Sequence, residues 1–436
     1  MMRKIIRAGI CLTVSVLLLW GCGKAAPETE QSGREAALEK EPEEQEGEPE
    51  ADGGESTVSG SGTESENDPE TGRAEEEGTE SREVSLEEEI SRCLSGMTLE
   101  EKVAQMFVVL PESLTGTGCV TAAGETTRQA FRNVPVGGFI YMEQNLESEE
   151  QVKEMLANVQ TFSRERIGLP VFTCVDEEGG TVARISGRGN FQVPVIGDMC
   201  DIGSTGDPEQ AYAVGVSIGG YLRELGFNVD FAPVADVLSN PENEVVRWRS
   251  FGSDPRLVSE MAAAELCGLR EQGVLGAYKH FPGHGATAGD THAGYAYTEK
   301  SLEELASCEL VPFQRGIEEG VPMILVGHIS LPAVTGENTP ASLSEQVITG
   351  ILREQMGYEG IVVTDAMNMG AVADNYTSAE AAVLAVQAGV DIILMPQDFY
   401  EAYEGVLEAV RTGILTPERI DASLERILAV KLSMAE

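Results

Sequence analysis

The sequence predicts an α/β fold of the (β/α)8 barrel type, formed by a single domain. Beyond residue 85, short apolar runs rich in Val, Ile and Phe alternate eight times with stretches that mostly have helical period. Such runs are typical of parallel strands buried on both faces, and eight strand–helix alternations indicate this barrel. The 436 residues leave room for a barrel of about 250 residues or more. A doubly wound open sheet is the alternative, but no GxGxxG follows the first strand.

The eight predicted strands are VAQMFVVL (103–110), VGGFIYM (136–142), VFTCVD (171–176), FNVDFAPV (227–234), VLGAYKHF (274–281), PMILVGHI (322–329), GIVVTDAM (360–367) and VDIILMP (390–396). The stretches 207–226 and 254–273 are the clearest predicted helices. Each begins with Asp-Pro and ends in Gly, which are helix start and stop signals.

Residues 1–22 predict a lipoprotein signal peptide. A basic start precedes an apolar run of 13 residues, which is short for a spanning helix of about 20. The run ends in LLLWGCG, which resembles a bacterial lipobox with Cys22 as the lipid-bearing residue. Trp20 is an unusual occupant of that motif, and an uncleaved anchor is the alternative. In both cases we expect the protein outside the cytoplasm, attached to the cell membrane.

Residues 23–84 predict a disordered acidic tether. They hold 21 acidic and 5 basic residues, a net charge of 5 − 21 = −16. Too few apolar residues are present to offset chain entropy, and like charges favour an extended chain. We expect residues 85–436 to form the folded domain.

The net charge of −43 disfavours nucleic acid as a partner, because so acidic a surface repels phosphate. We also expect a monomer. Six cysteines follow Cys22, at 93, 119, 174, 200, 267 and 308, without a CxxC pair. Export permits disulfides, but this spacing predicts buried free thiols.

The stretch KHFPGHGATAGDTH (279–292) holds three of the four histidines. Pro282 and the neighbouring glycines prevent the helix that would place the HxxxH pair on one face, which disfavours a metal site. Histidine titrates near neutral pH and can therefore give and take a proton. Asp290 lies two residues before His292, so both point the same way in an extended loop. We predict that they form an acid–base pair; a casual Asp–His hydrogen bond in a polar loop is the alternative.

Asp365 ends an otherwise apolar predicted strand. A carboxylate is costly to bury there unless it is paired or functional. A nucleophilic aspartate at an anomeric carbon is one such function, and a structural salt bridge is the alternative. The carboxyl ends of barrel strands meet at one mouth. Asp176, Lys279, His280 and His328 are also expected there.

Two arginines could bind oxygen-rich ligands at the same mouth. Arg184 and Arg249 offer planar donor forks that suit hydroxyl or carboxylate oxygens. Lys279 and His280 add further donors, and Asp176 can accept hydrogen bonds from sugar hydroxyls.

Five strings occur in the order seen in glycoside hydrolase family 3: VDEEGG, DFAPVADV, RSFGSDP, KHFPGHG followed by DTH, and VTDAMNM. The chain resembles the β-N-acetylglucosaminidase branch over about residues 90–435. The resemblance implies that Asp365 is the nucleophile, His292 the acid/base and Asp290 its partner. It also implies a set of residues that grip the N-acetylglucosamine ring: Asp176, Arg184, Arg249, Lys279 and His280.

Most other branches of this family take a glutamate acid from a second, carboxy-terminal domain. This chain ends at Glu436, soon after its last predicted helix, so we expect the barrel to supply its own acid. Trp248 stands where small residues are common in the resembling enzymes, and it could narrow the site or add a stacking surface. His284 and His328 receive no chemical role, and we expect packing or loop support from them.

The resemblance implies a retaining exo-β-N-acetylglucosaminidase, a β-N-acetylhexosaminidase that needs no metal or organic cofactor. Its expected substrate is a glycan with terminal β-GlcNAc, such as a peptidoglycan fragment. A β-N-acetylglucosaminide phosphorylase is the runner-up, because an imidazole does not repel phosphate as a glutamate would. A family 3 β-glucosidase, a non-catalytic sugar-binding lipoprotein and a metal hydrolase are further alternatives.

Overall fold

The computed structural model of the chain describes residues 85–287, 289 and 296–434. The predicted signal peptide with Cys22, the predicted tether, Asp290 and His292 lie outside the described residues. The strands are β1 (Phe107–Val109), β2 (Gly138–Ile140), β3 (Phe172–Val175), β4 (Glu177–Gly179), β5 (Val182–Ala183), β6 (Val229–Asp230), β7 (Leu275–Phe281), β8 (Ala296–Tyr297), β9 (Met323–Val326), β10 (Ile329–Ser330), β11 (Ile361–Thr364) and β12 (Ile393–Leu394).

The α-helices are α1 (Leu86–Gly96), α2 (Leu99–Gln105), α3 (Pro111–Thr115), α4 (Glu125–Asn133), α5 (Glu149–Ile167), α6 (Met199–Ser204), α7 (Pro208–Leu225), α8 (Pro255–Glu271), α9 (Leu302–Ser307), α10 (Leu310–Glu318), α11 (Pro332–Thr335), α12 (Gly370–Ala373), α13 (Ser378–Ala388), α14 (Phe399–Arg411) and α15 (Pro417–Ser433). A π-helix spans Gln346–Gln355, and short 3-10 turns span Glu143–Asn145, Ser186–Arg188, His284–Ala286 and Ala341–Leu343. Of the described helices, none has the length and apolar character needed to cross a bilayer.

Eight parallel strands form the barrel that the sequence predicts. Their order is β11-β9-β7-β6-β3-β2-β1-β12, and each pairs in parallel with the next. A parallel bridge from Val363 to Ile392 joins the last strand to the first. The sheet therefore closes, and the open-sheet alternative is wrong.

Each of the eight predicted strings contributes one barrel strand, but the first prediction is partly wrong. Residues Leu99–Gln105 form helix α2, and only Phe107–Val109 pair as β1. A capping box causes this difference: the Thr98 side chain accepts from Glu101 N–H while the Glu101 carboxylate accepts from Thr98 N–H. Two orphan donors of the helix start are thereby satisfied, which favours helix over strand.

The helices predicted from Asp-Pro and Gly signals are confirmed as α7 and α8. The Asp207 and Asp254 side chains cap them by accepting backbone N–H bonds, and proline follows in the first turn. The two helices pack closely because glycine stands at the contact. A Cβ on Gly268 would lie 2.4 Å from the Tyr212 carbonyl oxygen.

Lys431 of α15 closes the end of the barrel where the strands begin. Its fully buried ammonium donates to Gln105 Oε1 and to the Gly137 carbonyl oxygen, both at 2.7 Å. The ammonium also lies 4.7 Å from the centroid of the Phe172 ring. Burial lowers the pKa of Lys431 to about 7. The open end of the barrel is therefore the opposite one, where the strands finish.

The six cysteines of the folded domain are free thiols, as the spacing predicts. Their predicted burial is wrong for all but Cys174. Cys119 and Cys267 are exposed, and the remaining three are half-buried. Five of the six thiols are therefore at least partly accessible to solvent.

Candidate active site

One cavity of about 300 Å³ opens at the carboxyl ends of the barrel strands. Its lining includes every predicted site residue of the folded domain that the structure describes: Asp176, Arg184, Arg249, Lys279, His280 and Asp365. Three larger grooves lie at outer helices and contain none of these residues. Asp290 and His292 belong to the part of the chain outside the described residues, so their placement stays a prediction.

A buried carboxylate, Glu178, organises the positive charges of this cavity. It lies after β3, on the β4–β5 hairpin, and forms a bidentate ion pair with Arg249. The Nε and Nη2 atoms of Arg249 each donate to a Glu178 oxygen at 2.7 Å. Its Oε1 also lies 2.5 Å from Lys279 Nζ, which in turn donates to Asp176 Oδ1 at 2.9 Å. Burial alone would raise the pKa of Glu178, but Arg249 and Lys279 hold it far below its ordinary value.

Sequence reasoning did not single out Glu178, although it lies in the VDEEGG string. Side chains two apart in extended backbone point the same way, so Asp176 and Glu178 both face the cavity. Glu177 points elsewhere and accepts hydrogen bonds from Ile185 N–H, Ser186 N–H and the Tyr221 hydroxyl at 2.8–2.9 Å. Successive side chains after the strand alternate between two faces, and this alternation was the sequence signal that distinguishes Asp176 and Glu178 from Glu177.

Asp236 is a second residue that the sequence reasoning missed, within the DFAPVADV string. It is fully buried, and its Oδ2 lies 2.7 Å from His280 Nδ1. Because a carboxylate only accepts, Nδ1 carries a proton. Arg249 Nη2 lies 3.3 Å from the other ring nitrogen, Nε2. His280 is thus held between the Asp236 carboxylate and the Arg249 guanidinium.

Asp365 follows β11 directly and lies on the cavity wall. Its N–H donates to the Val326 carbonyl at 2.8 Å, and its Oδ1 accepts from Ala366 N–H at 2.8 Å. Among the described residues it makes no ion pair, which removes support for the structural salt-bridge alternative. Burial alone would raise the pKa of Asp365, but the His280 and His328 imidazoles, the Ala366 N–H and Lys279 lower it. The carboxyl is therefore ionised at neutral pH.

His328 supports the backbone beside Asp365 rather than lining the cavity. Its Nε2 donates to the Ala366 carbonyl oxygen at 3.0 Å, and its Nδ1 lies 2.7 Å from Ser342 Oγ. The ring is fully buried. Both nitrogens are thus engaged in holding the turn that presents the Asp365 carboxylate.

The glycine-rich stretch that leads towards Asp290 is fixed at its start. Asp236 Oδ1 accepts from His284 N–H at 2.5 Å. Asn243 Nδ2 donates to the carbonyl oxygens of His284 and Thr287, at 2.9 and 3.1 Å. A Cβ on Gly285 would lie only 1.9 Å from the Val237 carbonyl oxygen. The loop after β6 therefore anchors this stretch as far as Thr287.

The His284 ring lines the cavity and packs edge to face against His280, with centroids 5.8 Å apart. Its Nδ1 lies 3.1 Å from Thr287 Oγ1, whereas its buried Nε2 has no hydrogen-bond partner within the described part of the chain. Burial and the neighbouring His280 lower the pKa of His284, so the ring is neutral at neutral pH.

Arg184 reaches the cavity from the end of the β4–β5 hairpin. Its Nη1 lies 3.4 Å from Glu143 Oε1, and its buried Nε lacks a partner among the residues that the structure describes. The Arg188 guanidinium donates to the Glu143 carbonyl oxygen. Arg184 therefore has donor capacity left for a ligand.

The described residues contain no cluster of three or more His, Cys, Asp or Glu that could hold a metal ion. Within the described part of the chain, the cavity holds an ionised carboxylate that forms no ion pair, Asp365, together with an array of fixed donors. A (β/α)8 barrel whose mouth holds an ionised carboxylate and donors that suit hydroxyl groups has the groups that a glycoside-cleaving enzyme uses.

Comparison with known proteins agrees with this class. Residues 98–430 match the glycosyl hydrolase family 3 N terminal domain, and the chain belongs to this family. It is therefore a glycoside hydrolase by family.

The relatives include enzymes named for hexosamine substrates. Beta-hexosaminidase A of Pseudoalteromonas piscicida is 34% identical over 326 residues, which cover 69% of this chain and 54% of that protein. Beta-hexosaminidase LpqI of Mycobacterium tuberculosis is 35% identical over 271 residues, 60% of this chain and 68% of that protein. A solved family 3 β-N-acetylglucosaminidase from Paenibacillus sp. str. FPU-7 superposes with a TM-score of 0.73 at 37% identity, covering 78% of this chain and 63% of that one. The chain thus spans about half the length of the Pseudoalteromonas relative.

Proposed function

We propose that the chain is a retaining exo-β-N-acetylhexosaminidase that removes terminal GlcNAc from glycans. The observation that carries the proposal is the ionised Asp365 carboxylate in a cavity shared with Asp176, Lys279, Arg249 and His280. The names of the similar hexosaminidases support the choice of sugar. At about 300 Å³, the cavity is at the small end for ligand pockets, which suits one terminal sugar.

The proposed reaction has two steps. An Asp365 oxygen attacks the anomeric carbon, the glycosidic C–O bond breaks, and His292 gives a proton to the leaving oxygen. Water then attacks the glycosyl-enzyme, His292 takes a proton from that water, and the Asp365 carboxylate is released. Asp290 orients the imidazole and stabilises its protonated form. The roles of His292 and Asp290 come from the sequence resemblance.

The proposed setting is the outer face of the cell membrane. Lipid attachment at Cys22 and the acidic tether would hold the barrel beyond the bilayer surface. Peptidoglycan fragments with terminal β-GlcNAc are the proposed substrates. These statements are based on the predicted signal peptide and tether.

Covalent trapping tests the nucleophile. The full chain is incubated with an activated fluorinated GlcNAc analogue that forms a slow glycosyl-enzyme, and the protein mass is measured. We expect the wild type to gain one sugar on the peptide that contains Asp365 and to hydrolyse a chromogenic β-GlcNAc glycoside. Asp365→Asn should gain no sugar and lose about 10³-fold or more in kcat. Trapping by the variant would overturn the assignment.

Two further measurements examine the reaction type. Proton NMR of the first-formed product should show the β-anomer of GlcNAc, because two inversions give retention. The same assay in phosphate buffer should again release free GlcNAc. Accumulation of GlcNAc 1-phosphate would instead identify a phosphorylase.

A further inference from the structure

An exposed aromatic side chain lies in a loop whose residues Val245 and Arg249 line the cavity. Trp248 is 49% exposed, whereas most large apolar side chains of the barrel are buried. The Arg247 guanidinium lies 5.3 Å from the centroid of its ring. The next residue, Arg249, reaches into the cavity and binds Glu178. The indole therefore has a guanidinium over one face and solvent access at its open side.

Backbone contacts connect the segment of Trp248 to the hairpin that lines the cavity. Its carbonyl oxygen accepts from Cys200 N–H at 3.3 Å. The segment that contains Cys200 also contacts the β4–β5 hairpin, because Gly180 N–H donates to the Ile196 carbonyl oxygen at 3.0 Å. That hairpin carries Glu178 and Val182, which line the cavity. The loop of Trp248 and the hairpin therefore form adjoining parts of one rim.

The cavity is large enough for one terminal sugar, so the rest of the glycan must lie outside it. A terminal sugar held against Asp365 occupies the interior of about 300 Å³. The second sugar of the glycan, which is the leaving group, must then lie outside, over the rim. The C–H face of a pyranose ring packs against an aromatic face, where the electron-rich π surface attracts it.

We propose that the Arg247–Trp248 pair binds the leaving-group sugar, and that Arg247 favours a leaving-group sugar that carries a carboxylate. This inference depends on the proposed function. Trp248 supplies the stacking surface, and Arg247 holds the indole from its other side.

The charge of Arg247 supports the preference for an acid. The chain has a net charge of −43, and yet Arg247 is exposed and makes no ion pair within the described residues. An unpaired cation beside a sugar site attracts an anionic group of the ligand, most strongly at low salt. A lactyl ether carboxylate on the second sugar, as in a muramic acid residue, is such a group.

Kinetics with three substrates test the pair. Values of kcat/KM are measured for methyl β-GlcNAc, for the neutral disaccharide chitobiose and for the acidic disaccharide GlcNAc-β-1,4-MurNAc. In Trp248→Ala, the ratio of disaccharide to methyl glycoside should fall about tenfold, the equivalent of one good aromatic contact. Trp248→Phe should restore most of it. Tyr400→Ala, which removes a similarly exposed aromatic from the outer helix α14, should leave the ratio unchanged.

The second variant isolates the charge. Arg247→Gln should lower the ratio of acidic to neutral disaccharide by about threefold to tenfold at low salt, and added salt should lower the same ratio in the wild type. An unchanged ratio in Arg247→Gln overturns the preference for a carboxylate. An unchanged ratio of disaccharide to methyl glycoside in Trp248→Ala overturns the role of Trp248 as the stacking surface.

Intrinsic fluorescence separates this inference from the proposed function. The chain contains two tryptophans, Trp20 and Trp248, so the Trp20→Phe full chain reports on Trp248 alone. In that chain, combined with Asp365→Asn to prevent turnover, calorimetry measures GlcNAc binding and emission follows each ligand. We expect GlcNAc to bind with little change in emission and the disaccharide to shift it. Absence of GlcNAc binding would refute the proposed function. Disaccharide binding with unchanged emission would refute only the role of Trp248 as the stacking surface.

Discussion

At the scale of single residues, the charge balance of the cavity depends on Glu178. This carboxylate is 1% exposed and contacts two buried cations, Arg249 and Lys279. Burying a charge is costly unless it is paired, and removal of one partner leaves the other charges uncompensated. Glu178 lines the cavity and fixes the positions of these two donors there.

Glu178→Gln should therefore reduce both stability and catalysis. We expect a loss of about 3–5 kcal/mol in the free energy of unfolding, measured by urea denaturation. KM for a β-GlcNAc glycoside should rise, because Arg249 and Lys279 lose their fixed positions. Glu165→Gln is the matched control, since Glu165 pairs with Arg128 at the surface, where both side chains are about half exposed. It should cost about 1 kcal/mol or less, and an equal cost for both variants would contradict this account.

His284 gives a second prediction at this scale, because its two ring nitrogens have different surroundings. Asparagine places a polar atom near the position of Nδ1, which contacts Thr287, and glutamine places one near Nε2. We expect the unpartnered Nε2 to bind a sugar hydroxyl. His284→Asn should therefore lower kcat/KM by roughly threefold to tenfold more than His284→Gln, the value of one hydrogen bond. The reverse order would show that the ring acts through Thr287.

The sequence identified individual site residues where a polar side chain follows an apolar strand. Asp176, Lys279 and Asp365 were predicted on that basis, and all three line one cavity. Asp236 and Glu178 were not predicted as site residues, because their partners, His280 and Arg249, are distant along the chain. Only the closed barrel brings those partners within hydrogen-bond distance.

At the scale of elements, the start of the histidine loop is held by close backbone contact. Gly285 lies against Val237, where a side chain has no room. Asn243 and Asp236 add hydrogen bonds from the same loop after β6. The position of the backbone as far as Thr287 therefore depends on one glycine and two polar side chains.

Gly285→Ala should displace this loop. Its Cβ would meet the Val237 carbonyl oxygen at 1.9 Å, so the backbone must shift. We expect kcat to fall at least tenfold if residues beyond Thr287 supply the acid, since a misplacement of about 1 Å costs up to about 10²-fold. Gly118→Ala is the control, because a Cβ there meets nothing within 4 Å. Unchanged kcat in Gly285→Ala would show that the loop position does not limit the reaction.

The pattern of apolar residues was sufficient to predict the barrel strands but not to predict every element or its first residue. Apolar runs located all eight barrel strands, because buried parallel strands have a distinctive composition. The run VAQMFVVL was misassigned at its start, since a capping box outside the run begins a helix. The short pairing of β8 with β10 had no periodic signal, because each strand has two residues.

At the scale of the whole molecule, the barrel buries two ionisable groups whose charges oppose folding in different pH ranges. Lys431 closes the end where the strands begin, and Glu265 of α8 is buried with both carboxyl oxygens lacking a partner among the described residues. Burial and the negative charge of Glu178 raise the pKa of Glu265 to about 8. Burial lowers the pKa of Lys431 to about 7.

These pKa values predict opposite slopes of stability with pH. Between 4.5 and about 8, folded Glu265 retains a proton that the unfolded chain loses, so stability falls as pH rises. Between about 7 and 10.5, folded Lys431 lacks a proton that the unfolded chain holds, so stability increases with pH. Each slope has an upper limit of about 1.4 kcal/mol per pH unit.

Glu265→Gln and Lys431→Met separate the two contributions, because all other titrations cancel in the difference from wild type. The free energy of unfolding of Glu265→Gln minus that of wild type should increase from pH 5 to pH 8. The same difference for Lys431→Met should decrease from pH 7 to pH 9, as the wild type gains what the variant cannot. Urea denaturation at four or more pH values measures both. Parallel pH profiles for the variants and the wild type would show that both groups remain charged inside the barrel.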